Sequence, residues 1–456
     1  MHKHKLLAVT IFLCLIFIFR ISFALEDSLL GPLKKEDRIL ILAPHPDDES
    51  IGTAGLIQEA LKTGAEVKVV CYTNGDNNEL AFIVYEKRIT FKKKEFTHMG
   101  EVRRKETIQA LGFLGLGPQD IVFLGYPDFG TMEILTKYWG DTKPFRSMFA
   151  RETKVPYSEA LSFNAPYVGE SILGDLKKII MDFKPTKIFV SHPADKNRDH
   201  RSLYLFLQVA LWDLVNQVTP PEVFPYIIHV VGWPEPRGYH PDLELNPPEK
   251  LSNNEILWQK LELTPEERET KQKAISFYRS QIEYDPPYLF TFARKNELFS
   301  DYPIVRIKRQ TKDEISWQDL GISDKITPTG NTGQAEQLSA LAYAIQDNNL
   351  FVRLILRRKI DKVFGATIFL LGYNEGIDFA KMPKINLTAG IGGLHVKDKK
   401  QTLFIKDVQL LYKNEALLFK IPLSVLGNPD YILSCARTNT NDLPLDETAW
   451  RILHLE

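Results

Sequence analysis

The segment Ile39-Leu40-Ile41-Leu42-Ala43 is a short apolar run, and after Pro44 it gives way to the polar sequence His45-Pro46-Asp47-Asp48-Glu49. Such a run is typical of a strand that is buried on both faces of a sheet. The polar sequence then follows the carboxyl end of the strand, the edge at which open α/β sheets place their binding sites. The segment therefore predicts both a fold class and the position of a site.

The same alternation of buried strand and amphipathic helix extends from Arg38 to about Gln217. It favours a Rossmann-like, doubly wound and mainly parallel sheet with right-handed crossovers. The further strands that we predict are Glu66 to Tyr72, Ile121 to Leu124 and Lys187 to Val190. The predicted helices are Ser50 to Lys62, Glu101 to Leu111, Glu170 to Phe183 and Asp199 to Val215.

The texture changes after about Pro303, where short alternating runs are separated by turns rich in glycine, asparagine and lysine. This pattern favours a smaller all-β sandwich domain. Upstream of it, a helix with Thr264 as its N-cap and Pro265 at its first position is expected to close the first domain. We therefore predict a signal segment in residues 1–24, an α/β domain in residues 25–305 and a sandwich in residues 306–456.

The amino terminus is basic up to Lys5, apolar from Leu6 to Phe19, and then carries Ser22-Phe23-Ala24. A basic start, an apolar core and a small-x-small site are typical of a secretory signal peptide. We expect cleavage near Leu25 and export to a periplasmic, cell-envelope or extracellular location. An uncleaved membrane anchor is the alternative, although the apolar run is shorter than the roughly 20 residues that a spanning helix needs.

The bulk charge is balanced, with 57 lysine and arginine residues against 58 aspartate and glutamate residues. A nucleic-acid partner held by bulk charge is therefore not expected. Beyond the signal segment only Cys71 and Cys435 remain, in different predicted domains, so we expect no disulfide framework.

A second polar cluster, from His192 to His200, also follows a predicted buried strand and precedes a predicted helix. Both clusters should therefore face one crevice at the same edge of the sheet. Two histidines and a carboxylate from such a crevice make a three-ligand zinc site with an open position. Zinc in such a site acidifies water and polarises a carbonyl, and a free carboxylate such as Asp47 can accept the proton.

These motifs resemble the PIG-L or LmbE-like family of N-acetylglucosaminyl-phosphatidylinositol de-N-acetylases, whose hallmarks are an (A/P)HPDDE loop and a later HxDH element. The resemblance covers roughly residues 38–299. It implies that His45, Asp48 and His200 bind zinc and that Asp47 is the general base. It also implies substrate contacts by Arg103, on the helix after the second strand, and by Asp128, whose carboxylate would meet sugar hydroxyls. An ion pair of Arg103 with Glu106 and a turn role for Asp128 are the structural alternatives.

One departure from the family pattern affects the proton donor. Most relatives have a histidine three residues before the last zinc histidine, and this chain has Asn197. An asparagine amide can donate a hydrogen bond to an oxyanion but cannot supply a proton near neutral pH. The protonated Asp47 and His192 are the candidate donors, although His192 is open to a structural role. Asp199 is expected to orient its neighbours.

The sequence thus predicts a zinc-dependent hydrolase that removes the N-acetyl group from an N-acetylglucosamine-type sugar or glycoconjugate and releases acetate. Two alternatives stay open: a sugar-binding protein that kept the metal site with little turnover, and a zinc amidase for another amide. The expected partner is an amino-sugar or glycan substrate near a membrane or cell envelope. For the sandwich, sugar binding and a structural or docking role are both open. The sequence does not indicate the oligomeric state.

Overall fold

The computed structural model describes residues 28–87, 89, 92–140, 142–252, 255–310, 315, 326–327, 337–357, 359–413, 416–440 and 443–456. The predicted signal segment, residues 1–24, lies outside these residues. Within the described part of the chain, no helix is both long enough and apolar enough to cross a membrane.

The first part of the chain alternates strands and helices, as predicted. Its strands are β1 (Ser28–Leu29), β2 (Arg38–Ala43), β3 (Glu66–Thr73), β4 (Ile121–Tyr126), β5 (Lys187–Ser191), β6 (Glu222–Tyr226), β7 (Trp258–Glu262) and β8 (Asn296–Ser300). Its α-helices are α1 (Asp48–Thr63), α2 (Glu79–Glu86), α3 (Lys93–Phe113), α4 (Thr131–Lys137), α5 (Gly169–Phe183), α6 (Arg198–Asp213), α7 (Pro265–Ile275), α8 (Arg279–Ile282) and α9 (Pro286–Phe290).

These strands form one sheet in the order β1-β7-β8-β6-β5-β2-β3-β4. The pairs from β6 through β5, β2 and β3 to β4 are all parallel, and β8 runs antiparallel to β6 and β7. The predicted doubly wound, mainly parallel sheet is therefore confirmed. The chain moves outward from β2 to β3 and β4, and then returns to place β5 on the other side of β2. The carboxyl ends of β2 and β5 consequently meet at the switch point of the sheet.

Several details of the first part differ from the prediction. Helix α3 begins at Lys93, well before the predicted start, because buried Phe96 and Met99 give its lysine-rich first turns an apolar face. Helix α7 has the predicted cap, but it does not close the α/β part, since β8 follows it and joins the sheet. Strand β8 was missed because its buried residues include Glu297, whose carboxylate is satisfied by Lys271 at 2.7 Å and by backbone N–H groups of α1.

The chain from Val305 onward is all-β within the described residues, which confirms the predicted fold class. Its strands are β9 (Val305–Ile307), β10 (Arg309–Gln310), β11 (Ile326–Thr327), β12 (Leu338–Gln346), β13 (Asn349–Leu356), β14 (Phe364–Tyr373), β15 (Lys384–Gly390), β16 (Gly393–Asp398), β17 (Gln401–Leu403), β18 (Gln409–Lys413), β19 (Ala416–Pro422), β20 (Tyr431–Thr440), β21 (Leu443–Thr448) and β22 (Arg451–Leu455). They form two sheets, of which one contains β12, β13 and β19 and the other contains β14, β15 and β20. The domain boundary at residue 305 stays a prediction.

Strand β14 is buried on both faces and separates two hydrophobic cores. Ala366, Ile368 and Leu370 face the core between the two β-sheets, whereas Phe369 and Leu371 belong to the core of the α/β part. This alternation follows from the two-residue period of a strand. The β-sandwich is therefore packed directly on the α/β part by one face of its larger sheet.

Polar and aromatic contacts reinforce this packing. The Arg201 guanidinium of α6 lies 3.0 Å from the Glu447 carboxylate of β21, and both side chains are buried. Trp212, near the end of α6, stacks on Tyr431 of β20 with ring centroids 4.6 Å apart. Because α6 begins at the second polar cluster, the sandwich holds one of the two elements that build the predicted site.

Candidate active site

The loops after β2 and β5 meet at the switch point, as their positions in the sequence predict. The His45 and His200 ring centroids are 5.2 Å apart, and His45 Nδ1 lies 3.3 Å from His200 Nε2. Asp48 completes the group, because its Oδ2 lies 3.2 Å from His45 Nδ1 and 3.1 Å from His200 Nε2. These three side chains therefore offer three ligand atoms to one point, although His45 and His200 are 155 residues apart in the chain.

The electrostatic environment of the two imidazoles favours positive charge. Burial alone would lower the pKa of His45, but surrounding carboxylates, with Asp128 foremost, raise it well above its ordinary value. Burial also lowers the pKa of His200, and Asp195 and Asp48 more than offset this and raise it to about 9. A buried site that favours a cation and presents two imidazoles and a carboxylate has the donor set that zinc takes in catalytic centres. The residues therefore fit the predicted metal.

Asp195 contacts His200 from the side opposite to Asp48. Its Oδ2 lies 3.2 Å from His200 Nδ1 and accepts hydrogen bonds from the backbone N–H groups of Ile228 and His229. Its Oδ1 lies 3.2 Å from His229 Nδ1. A carboxylate on the second ring nitrogen of a ligand histidine fixes the tautomer and the ring orientation. Asp195 thus holds His200 with its Nε2 toward Asp48.

His45 is held in a comparable way by Asp128 and Asp199. The Nε2 atom of His45 lies 3.2 Å from Asp128 Oδ1 and 3.5 Å from Asp199 Oδ2. Asp199 also accepts hydrogen bonds from Phe129 N at 2.6 Å and Thr131 N at 3.2 Å. These bonds tie the start of α6 to the turn after β4, and the predicted orienting role of Asp199 in the reaction stays a prediction. The predicted contact of Asp128 with a sugar stays a prediction.

Asp47 lies beside the ligand group in a strained and firmly held position. Its φ angle is 119°, a conformation that residues with a side chain rarely adopt. Arg103 Nη2 lies 3.2 Å from Asp47 Oδ2 and donates to Pro46 O at 2.7 Å, and Arg103 Nη1 donates to Gly75 O at 3.0 Å. Burial raises the pKa of Asp47 to about 8, against the opposing effect of Arg103. Strain and multiple bonds together fix this carboxylate at the edge of the predicted metal site.

Arg103 therefore binds the Asp47 loop, and its predicted contact with a substrate stays a prediction. It lines the crevice together with Asp47. The structural alternative, a pair with Glu106, is not what the structure contains, since the Glu106 carboxylate accepts from the backbone N–H and the hydroxyl of Ser280 at 2.9 and 2.6 Å.

Asn197 is the N-cap of α6. Its side-chain oxygen accepts a hydrogen bond from Asp199 N at 2.8 Å, so the oxygen is used to satisfy the helix terminus. The side chain also lines the crevice beside His45 and Asp48. With its oxygen committed to the cap, the amide nitrogen is the part of Asn197 that can donate to a substrate.

His192 does not belong to this site, which corrects its inclusion among the candidate proton donors. Its ring stacks on Trp258 with centroids 5.7 Å apart and meets the edge of Tyr302 at 5.0 Å. Its Nδ1 accepts from Ala194 N at 2.9 Å, and burial lowers its pKa to about 3. A neutral, fully buried imidazole that packs between aromatic rings cannot deliver a proton to a substrate. The histidine that precedes Pro193 is structural.

The site opens into a crevice of about 1130 Å³. One side of it comes from the loops after β2, β4 and β5, and another from the segment around Trp233 and from helices α8 and α9. The sandwich adds Arg437, Pro444 and Glu447 to the lining. The crevice is therefore formed by both parts of the chain, which the prediction of two separate domains did not include.

The sequence analysis assigned no role to the buried Asp195 or to the crevice residues His229 and Arg437. Asp195 lies inside the second polar cluster, but its spacing from His200 did not indicate that its carboxylate would contact the His200 ring. His229 follows the run from Val223 to Ile228, which resembles the apolar strands before the two recognised clusters, so a third strand end with a polar residue was readable there. Arg437 had no signal in the sequence, since only the packing of the sandwich brings it to the crevice.

Comparisons with known proteins show what this chain resembles. Residues 40–211 match the family model described as PIG-L: GlcNAc-PI de-N-acetylase. A segment of 92 residues is 37% identical to the 1D-myo-inositol 2-acetamido-2-deoxy-alpha-D-glucopyranoside deacetylase of Corynebacterium urealyticum, and covers 20% of this chain and 26% of that protein. A segment of 99 residues is 34% identical to the protein of the same name from a Mycobacterium species, and covers 21% of this chain and 30% of that protein. The matched segment thus spans between a quarter and a third of these relatives.

Among solved structures, the chain resembles N,N'-diacetylchitobiose deacetylase from Pyrococcus horikoshii, with 22% identity and a TM-score of 0.37. The similarity covers 62% of this chain and 90% of that chain.

Proposed function

Since residues 40–211 form a domain of the PIG-L family, we propose that this protein is a zinc-dependent hydrolase that removes the acetyl group from an N-acetylglucosamine-type sugar or glycoconjugate. The observation that carries the proposal is the convergence of His45, Asp48 and His200 on one point with Asp47 held beside them. The names of the curated relatives, which describe deacetylases of a 2-acetamido-2-deoxy-glucopyranoside, support the same substrate class.

His45, Asp48 and His200 would hold the metal, which supplies a Lewis acid and an acidified water when it is bound. In its ionised form, Asp47 accepts the proton of the water that attacks the acetamide carbonyl. Arg103 keeps the Asp47 carboxylate in place for this transfer through the contact at 3.2 Å. Cleavage of the amide C–N bond then releases acetate and a free amine.

Asn197 and Asp47 serve the second half of the reaction in this proposal. The Asn197 amide nitrogen donates a hydrogen bond to the developing oxyanion, while its oxygen caps α6. The leaving amine needs a proton that an asparagine cannot supply. Asp47, having just accepted a proton from water, returns it to the amine nitrogen.

The site of action is also a proposal. The basic and apolar sequence of residues 1–24 is the basis for export, and an envelope or extracellular glycan is the substrate that such a location offers.

Acetate release by the purified protein tests the proposed function. The substrates are N-acetylglucosamine, N,N'-diacetylchitobiose and an N-acetylglucosamine glycolipid, each with and without a chelator. We expect release that the chelator abolishes and added zinc restores. A protein that binds stoichiometric zinc and the sugars but releases no acetate would instead support a binding role. Release from a non-sugar amide alone would support the amidase alternative.

A further inference from the structure

One part of the crevice wall lies outside the PIG-L domain. Arg437 of β20 and Glu447 of β21 line the same crevice as His45 and Asp48, although they belong to the sandwich. The buried Arg201–Glu447 pair at 3.0 Å and the shared hydrophobic core fix this wall against α6. A rigid wall that adjoins the reaction centre can contact whatever part of the substrate extends beyond the acetylated ring.

Three cationic side chains define this wall: Lys196, Arg198 and Arg437. We call them the cationic wall. Lys196 and Arg198 flank Asn197 at the start of α6, so they lie directly beside a residue of the proposed site. The three side chains thus extend from the reaction centre onto the sandwich.

The acidic groups near the cationic wall also pair with cations outside it. The Glu447 carboxylate lies 3.0 Å from the buried Arg201 guanidinium. The Glu133 carboxylate lies 2.5 Å from the Lys137 ammonium group and makes a longer contact, of 3.5 Å, with the Arg198 guanidinium. Glu133 therefore offsets part of the charge of Arg198, whereas Lys196 and Arg437 make no direct ion pair with a carboxylate of the described residues.

Arg437 is the clearest case of a cation without a partner. Its Nε atom is buried and has no hydrogen-bond partner, and no carboxylate of the described residues lies within 4.0 Å of its guanidinium. The guanidinium carbon lies 5.0 Å from the centre of the Phe369 ring, which supports it on one side. A buried donor without a partner costs free energy unless a ligand satisfies it. The planar fork of an arginine matches phosphate and carboxylate groups.

The charges of Arg198 and Arg437 both influence the Glu133 carboxylate. Burial raises the pKa of Glu133, but Lys137, Arg198 and Arg437 together hold it below its ordinary value. Both guanidinium groups are consequently close enough to influence one carboxylate, and an anionic ligand between them would feel both.

The remaining rim of the crevice has a different character. Trp233, Tyr284 and Tyr288 provide aromatic surface, and Arg237 is paired with Asp285 at 2.7 Å. Aromatic surface suits the apolar face of a neutral sugar ring. Among the described residues, the crevice cations without a direct ion pair, Lys196 and Arg437, therefore lie on the side that adjoins the sandwich.

We propose that the cationic wall binds an anionic substituent of the substrate, a phosphate or a carboxylate carried on or next to the acetylated ring. The proposal rests on the proposed deacetylase function and narrows its substrate class to acidic N-acetyl sugars. The sandwich then contributes a specificity-determining residue, Arg437, to the active crevice.

Steady-state acetate release on three substrates tests this proposal: N,N'-diacetylchitobiose, which is neutral, N-acetylglucosamine 1-phosphate and N-acetylmuramic acid. We expect the parent protein to prefer one of the anionic substrates, and Arg437→Gln to reduce that preference in kcat/KM about tenfold or more, since hydrogen bonds to charged groups are of that strength. Arg437→Lys should fall between the two. Lys397→Gln, an exposed cation of β16 outside the crevice, is the matched control. Whether the phosphate or the carboxylate is preferred identifies the substituent.

Binding measured without turnover separates this proposal from the proposed function. In calorimetric titrations of N-acetylglucosamine 1-phosphate, Arg437→Gln and Arg198→Gln should each weaken binding about tenfold. If no substrate releases acetate but this binding and its loss are observed, the deacetylase function fails and the anion site stands. If acetate is released with no preference for charge, and both variants behave like the parent protein, the anion proposal is overturned and the deacetylase function stands.

Discussion

The crevice has one wall from the α/β part and one from the sandwich, and the two walls differ in how their charged groups are paired. On the α/β side, acids and imidazoles are balanced against each other: Asp48 lies between His45 and His200, and Asp47 is held by Arg103. On the side of the sandwich, Arg437 has no acidic partner among the described residues. Charged groups that are paired with each other set the geometry of a reaction, whereas a cation without an ion pair favours an anionic ligand. The difference places the proposed reaction and the proposed substrate choice in different parts of the chain.

The largest expected effect concerns the wall formed by the α/β part. Asp48→Asn removes the carboxylate that lies 3.2 and 3.1 Å from the two imidazoles. We expect loss of bound zinc and a fall in acetate release of at least about a thousandfold, because three protein ligands define a catalytic zinc site. Elemental analysis and an acetate assay measure the two effects. Asp242→Asn, at an exposed acid paired with Arg268, is the control. Full zinc content in Asp48→Asn would remove this residue from the ligand set.

The next effect separates chemistry from metal binding on the same wall. Asp47→Asn keeps the shape of the side chain but removes the base. We expect kcat to fall by about 10² to 10⁴, the usual contribution of a general base, with the zinc content unchanged. The two variants Asp47→Asn and Asp48→Asn carry the same change at neighbouring positions, and only Asp48→Asn is expected to lose zinc. Equal loss of zinc in both would show that Asp47 is a ligand.

The third prediction tests whether the two walls form one unit. Arg201→Met leaves the buried Glu447 carboxylate without its partner at 3.0 Å. Breaking a buried pair in this way costs about 3–5 kcal/mol of the free energy of unfolding. Denaturant unfolding followed by tryptophan fluorescence measures it. Arg306→Gln, in an exposed pair with Glu456 at 2.7 Å, is the control and should cost no more than about 1 kcal/mol. An unchanged midpoint in Arg201→Met would mean that the sandwich is docked by other contacts alone.

The fourth prediction concerns Asn197, which lies where the two walls meet. Asn197→Asp keeps an oxygen that can accept from Asp199 N, whereas Asn197→Ala loses the cap. Both variants lose the amide donor, so we expect kcat to fall about a hundredfold in each. Only Asn197→Ala should also lose about 1 kcal/mol of stability. Parent-like kcat in Asn197→Asp would reduce Asn197 to a helix cap.

The α/β wall was readable from the sequence because its residues follow apolar strands. A buried strand such as Ile39 to Ala43 fixes the direction of the chain, and the polar residues after it must lie at the carboxyl edge. The same argument located the cluster that ends at His200. Local order in the sequence therefore predicted the sheet and the meeting of His45 with His200.

The sandwich wall was not readable, because its position depends on contacts between distant parts of the chain. Nothing near Arg437 in the sequence indicates that Phe369 and Leu371 pack on the α/β core and carry β20 to the crevice. His192 was ambiguous for a similar reason. Its neighbours Trp258 and Tyr302, which determine its burial, come from elements far along the chain.

The smallest expected effect distinguishes His192, behind the α/β wall, from the histidines of the crevice. Burial lowers the pKa of His192 from an ordinary value of 6.5 to about 3, so between these values the unfolded chain binds a proton that the folded chain does not. Stability should therefore fall as the pH falls from 6.5 toward 3, by up to about 1.4 kcal/mol per pH unit. In His192→Asn this contribution is absent. The variant will lose some packing at every pH, but its loss of stability between pH 6 and pH 5 should be smaller than that of the parent protein. Urea midpoints at pH 8, 6 and 5 measure both the loss of packing and the change of stability with pH. An equal change of stability with pH in the two proteins would mean that His192 is not held neutral by burial.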